Sequence, residues 1–125
     1  MELALVKVRT GGEVPVRDQD EQYEERAVML IVHGGYARSL ALQAIEAAKE
    51  GRFESAAQLQ IEATEELNKA NRFQKEIISD NLETTQDGQG ISLMDIHALD
   101  HYMNALTIID LAGNFIDLFK LKGGK

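Results

Sequence analysis

From about residue 20 onward, apolar positions fall at intervals of three and four: Ala27, Leu30, Ile31, Ala37, Leu40, Ala41, Ile45 and Ala48. This is the spacing of one helix face, and it predicts a first helix over about 20–50. Gly34 and Gly35 interrupt the pattern. Each glycine costs a helix roughly 1 kcal/mol relative to alanine, so a kink or a close contact with another helix is expected there. Gly51 reads as a C-terminal stop. Ala56, Leu59, Ala63, Leu67, Ala70 and Ile77 then form a narrower stripe, with Glu62, Glu65, Glu66, Lys69, Arg72 and Lys75 mostly elsewhere. That pattern predicts an amphipathic outer helix over about 53–81. The polar stretch 83–90, with Asp87-Gly88 and Gly90, reads as a mobile loop. A third helix is expected over about 92–121, with Ser92 as its N-cap and Asp95 three residues on.

The third segment is apolar almost all round. Ile96, Leu99, Met103 and Leu106 lie along one side, and His97, His101, Asn104, Ile108, Leu111 and Phe115 along the other. A helix apolar on both sides must be buried on both. Two other helices of a small chain cover only part of it, so the rest is expected to meet further copies in a closed homo-oligomer. Residues 1–20 stand apart, with Gly11, Gly12, Pro15 and a weak alternation over Leu3-Ala4-Leu5-Val6. They read as an N-terminal extension, flexible or a short strand. Residues 21–122 are expected to form one all-α domain.

Composition narrows the possible functions. The 125 residues include no cysteine, which removes disulfides, thiolate nucleophiles and cysteine metal sites and fits a reducing cytoplasm. The longest apolar run, Ala27 to Val32, is too short to cross a bilayer, and the N-terminus lacks the apolar stretch of a signal peptide. With 21 acidic against 13 basic residues, the net charge is -8. Such a surface repels phosphate backbones and anionic lipid, so nucleic acid and membrane are not expected as partners. Neither Gly-x-x-x-x-Gly-Lys nor Gly-x-Gly-x-x-Gly occurs. A phosphoryl group handled here must therefore arrive on another protein or on a small molecule.

The concentrated chemistry lies at His97-Ala98-Leu99-Asp100-His101, where two of the three histidines and a carboxylate stand at i, i+3 and i+4. They project from one side of the third helix, among Leu93, Met94, Ile96, Tyr102 and Met103. Ionisable groups desolvated in such surroundings must be paired, ligated or neutralised. Three readings stand side by side. The histidines could be hydrogen-bonded groups at a helix interface. Copies of Asp100 could meet at an oligomer axis around a cation. Or one imidazole could carry a transferred group while its neighbours orient it. His33 reads as a packing or surface residue.

Three segments resemble the lactose/cellobiose-type enzyme IIA proteins of the bacterial sugar phosphotransferase system. They are Ile31-Val32-His33-Gly34-Gly35-Tyr36-Ala37-Arg38-Ser39-Leu40-Ala41, the turn region Ala47 to Ala56, and Ser92 to Ala105. The resemblance covers about 24–120 in order and spacing. It implies an antiparallel up-down-up three-helix bundle that trimerises into nine helices with the third innermost, and it makes 21–122 the enzyme IIA domain. It also implies that His97 is phosphorylated by the carrier HPr and passes the group to a cysteine of a cognate enzyme IIB, serving the membrane permease IIC. By the same resemblance His101 supports His97, and Asp100 gathers from three subunits around a divalent ion, usually magnesium. One position departs: the family usually reads His-Ala-Gln-Asp-His, and here Leu99 replaces the amide. A lost hydrogen bond to a charged phosphoryl oxygen is worth roughly 1.5–3 kcal/mol, which leaves three readings: a slower carrier, one that relies on another donor, or a relative with altered duty. The alternative function is a non-enzymatic helical homo-oligomer with a structural metal at Asp100 and no phosphotransfer.

Overall fold

The structure, a computed structural model, describes residues 4–7, 13–16, 18–86 and 92–123, with side-chain environments within 24–83 and 92–123. Three long helices follow a short hairpin: β1 (Ala4–Lys7), β2 (Glu13–Val16), α1 (Asp18–Lys49), α2 (Phe53–Gln86) and α3 (Leu93–Gly123). The strands pair antiparallel, with Leu5 opposite Pro15. Both strands of a two-stranded sheet are edges, so a proline without an N–H is tolerated there. The extension thus holds two strands, and α1 takes over its last residues from Asp18.

The turn between α1 and α2 follows from Gly51, whose φ of 79° is left-handed. Gly51 N–H donates to the Ala48 carbonyl (3.0 Å) and Arg52 N–H to that of Ala47 (2.9 Å), the two bonds of a Schellman stop. The short link makes α1 and α2 antiparallel, and α3 returns alongside α1. At the other end, α2 runs four residues into the stretch expected to be loop, through Gln86. Nothing in Glu83-Thr84-Thr85-Gln86 breaks a helix, and the first glycine comes at Gly88. Residues 87–91 of the expected loop lie outside the described residues.

α1 continues unbroken through its glycine pair, and Gly34 provides the close helix contact. Gly34 is buried against α3. A Cβ built on it would stand 3.4 Å from the His101 carbonyl oxygen and 3.6 Å from the Tyr102 Cα, whereas one on Gly35 would meet nothing within 4 Å.

α1 packs extensively on both other helices, which meet each other less. The seams are lined by small residues: Ala27, Ala70 and Ala98 near the start of α3, Ala37, Ala41, Ala63 and Ala105 in the middle, and Ala44, Ala48 and Ala56 at the far end. The inward face of α3 is Asp95, Ala98, Ala105, Ile109, Ala112 and Ile116. Much of its bulk faces away from its own chain: Leu93, Ile96, Met103, Leu111 and Leu118 are between 45 % and 80 % exposed. α1 adds exposed Val28, Val32 and Tyr36. The segment Glu24–Lys49 is long and apolar enough by composition to cross a membrane, but Ala27, Leu30, Ala37, Leu40 and Ala41 are taken up in the core between the helices.

Candidate functional site

His97 lies in the second turn of α3, and its side chain is exposed; His101, one turn on, is half-buried. Their rings meet edge to face, with centroids 4.7 Å apart and planes at 89°. Asp100 is exposed as well. The desolvation expected for this trio is therefore not supplied by its own chain, because the inward face of α3 at this level is Ala98. At 100° per residue, Asp100 falls at the centre of the outward stripe formed by Leu93, Ile96, Met103, Leu111 and Leu118. A carboxylate in the middle of such a stripe is solvated in the isolated chain and costly once the stripe is covered. Among the described residues of one chain, no three His, Cys, Asp or Glu side chains come together to hold a metal. One copy of Asp100 is a single ligand.

Leu99 answers the question raised by its replacement of glutamine. Two residues from His97, it is rotated about 200° around the helix. It is half-buried and packs on the cluster of Ala27, Leu30, Ala70, Ile77 and Ala98. Within one chain, then, Leu99 removes no donor from the face that carries His97.

Two polar clusters were not foreseen. At the start of α3, Arg26 of α1 is ion-paired with Asp80 of α2 and stands 4.0 Å from the Asp95 carboxylate of α3. Asn81 Nδ2 donates to that carboxylate (2.7 Å), and its Oδ1 accepts from the Ser92 N–H (3.3 Å). Asp95 N–H in turn donates to Ser92 Oγ (3.3 Å), the expected N-cap. Sequence reading gave Asp95 a capping role and Arg26 none. The available signal was position: Arg26 lies four residues before Leu30, and Asp95 three before Ala98, so each charge falls on a core stripe and needs a partner. Further along, Tyr102 Oη donates to Asn71 Oδ1 (3.2 Å).

The second cluster surrounds His33. Its Nδ1 lies 2.8 Å from Glu66 Oε2, and its ring stacks on Phe73 at 6.2 Å with planes 8° apart. Glu66 also accepts from Lys69 Nζ (2.8 Å). The Lys69 hydrogen bond, seconded by that of His33, holds the Glu66 carboxyl below its ordinary value against the opposing effect of burial. Glu66 in turn raises Lys69. His33 is thus a packing histidine with a carboxylate partner.

What the cluster offers chemically is an accessible imidazole, a second imidazole braced against it, and an apolar rim (Leu93 80 %, Met94 41 % exposed). Residues 25–120 match the family described as "PTS system, Lactose/Cellobiose specific IIA subunit". The chain is 40 % identical over 101 residues to the lichenan-specific phosphotransferase enzyme IIA component of Bacillus subtilis (strain 168), covering 81 % of this chain and 90 % of that one. Among solved structures, it resembles the PTS cellobiose-specific enzyme IIA from Bacillus anthracis with a TM-score of 0.70 at 35 % identity, over 88 % of this chain and 96 % of that one. It also resembles IIA(chitobiose) in complex with HPr, from the N,N'-diacetylchitobiose branch of the Escherichia coli phosphotransferase system. That likeness has a TM-score of 0.69 at 33 % identity and covers 80 % and 96 % of the two chains.

Proposed function

The chain belongs to the lactose/cellobiose-specific IIA family of the sugar phosphotransferase system, and on that footing we propose that it is a cytoplasmic phosphocarrier acting through His97. The carrying observation is the presentation of that imidazole: exposed, near the start of α3, and edge to face with His101. In the first step an unprotonated ring nitrogen of His97 attacks the phosphorus of phospho-HPr. The new N–P bond forms as the donor's N–P bond breaks, and HPr leaves with its imidazole free. In the second, a thiolate of the cognate IIB attacks the same phosphorus, and the His97 N–P bond breaks. The group then serves sugar uptake through the permease IIC.

Such transfers need alignment and charge stabilisation more than covalent assistance. His101 supports both, since its N–H can donate to a phosphoryl oxygen placed on its neighbour. Once a partner docks over it, the apolar rim around His97 would exclude water, which competes as acceptor. A surface of net charge -8 favours a donor with a basic docking face. That HPr is found in complex with a structurally similar IIA supports this partner.

The exposed stripe of α3 supports a homotrimer with this helix innermost. Three copies of Asp100 would then meet and hold a divalent cation such as magnesium, whose part is to neutralise carboxylates that the assembly buries. Intact-mass measurement after incubation with phosphoenolpyruvate, enzyme I and HPr tests the main reading. One phosphoryl group is expected on the wild type and none on His97→Ala, with the oligomer unchanged. Phosphate on the variant rejects His97 as the acceptor; none on the wild type, with enzyme I and HPr active on another acceptor, rejects the carrier reading in favour of a structural oligomer.

A further inference from the structure

The geometry points to Asp95 as a positioning residue for His97, acting through Arg26 and Asn81 to fix the rotation of α3. This rests on the phosphocarrier reading. Asp95 and Arg26 are only 4 % and 8 % exposed, the two charged residues in an otherwise apolar core among the described residues. A buried ion pair is a poor source of stability, since apolar side chains of similar volume usually serve as well or better. What such a pair can supply is a unique arrangement. The seam beside it joins Ala27, Ala70 and Ala98 to the larger Leu30 and Ile77. Apolar contacts are non-directional, whereas hydrogen-bonded charges specify where each partner stands.

The polar tie adds that directional constraint. Its carboxylate takes the Asn81 amide at 2.7 Å and faces Arg26 at 4.0 Å, and Arg26 is anchored on Asp80, so one α3 side chain is held from both other helices. Asn81 also takes the Ser92 N–H, which holds the cap of the same helix. Asp95 and His97 are two residues apart and point in nearly opposite directions. Locking the first inward therefore sets where the second stands outside. With side chains about 5–6 Å from the helix axis, a rotation of about 20° shifts the imidazole by roughly 2 Å. Misplacement of about 1 Å is enough to slow an aligned transfer by about a hundredfold.

The decisive variant is the double Arg26→Met/Asp95→Leu, which removes both buried charges and fills their space; Asp80 is 36 % exposed and stays solvated. It is expected to fold with an unchanged or higher Tm and an unchanged oligomer. The rate of phosphoryl transfer from phospho-HPr should fall at least tenfold in kcat, with KM for phospho-HPr changed less than threefold. Proton NMR should show loss of the close contact between the His97 and His101 rings. The single variant Asp95→Asn, which keeps an acceptor for Asn81, should fall between wild type and double variant. A double variant that accepts phosphate at the wild-type kcat, or loses only KM, overturns the inference while leaving the phosphocarrier reading intact. A wild type that accepts no phosphate overturns both.

Discussion

Glu66 is held from two helices: Lys69 of α2 donates to one carboxylate oxygen and His33 Nδ1 of α1 lies 2.8 Å from the other, and the side chain is 13 % exposed. Its carboxyl is held below the ordinary 4.5, first by Lys69 and then by His33, against burial. A lowered carboxylate stabilises the fold fully above the ordinary value, and that contribution disappears as pH falls through the folded value. Glu66→Gln is therefore expected to lower Tm at pH 7, and the difference from wild type should close progressively below about pH 4.5, as thermal melts from pH 7 to 3 would reveal. The same contrast between partner and position separates His33 from His97. His33 has a carboxylate and a stacked phenyl ring; His97 has an open face and another imidazole. At Leu99 the missing amide drew attention in sequence, yet helix rotation turns that side chain away from His97 to pack, half-buried, on the core cluster.

Among the elements, α1 and α3 depend on one glycine for their spacing. Gly34 lets the α3 backbone at His101 and Tyr102 approach α1 to the limit of van der Waals contact. Alanine just fits at 3.4 Å and gains about 1 kcal/mol of helix propensity, so Gly34→Ala is expected to be neutral or mildly stabilising. Gly34→Leu has no room and must drive the helices apart. It should lose about 2–3 kcal/mol in urea denaturation and transfer phosphate slowly, because the displaced turn is the one that carries His101. Equal stability of the leucine variant would mean that α1 and α3 are not packed as described. The Schellman turn at Gly51 acts at the far end, where it makes α1 and α2 antiparallel and fixes the order of the bundle.

For the whole molecule, the important asymmetry is that α3 spends small residues on its own chain and leaves much of its bulk outside. Leu93, Ile96, Met103, Leu111 and Leu118 surround Asp100 on a face that three helices of one chain leave uncovered. If three copies close over that stripe around a cation, adding a chelator should lower the Tm of the wild type by several degrees, because a ligand bound only by the folded assembly stabilises it. Asp100→Leu should keep the trimer in sedimentation and lose the chelator effect, since apolar side chains replace buried carboxylates without needing a counter-charge. A wild-type Tm indifferent to the chelator removes the metal from the account.

Sequence alone determined the three helices, their order, the N-cap at Ser92, the stop at Gly51 and the placing of His97, Asp100 and His101 on one side of α3. These are local properties: helical periodicity, capping chemistry and glycine's left-handed backbone act within a few residues, so they can be read from neighbours in the chain. It missed the last four residues of α2, where a polar composition resembled a loop but contained no helix breaker. Tertiary structure alone decided which face of α3 is inward, that Gly34 is a contact point, that Leu99 packs on the core cluster, and that Arg26, Asp80, Asn81 and Asp95 form one tie across three helices. Each depends on which residues distant in sequence meet, and an apolar-all-round helix gives periodicity no means to choose its inward face. Three alanines lie on that face beside Ile109 and Ile116, because small side chains let helix backbones approach closely, and many larger apolar residues are left on a surface beyond the chain.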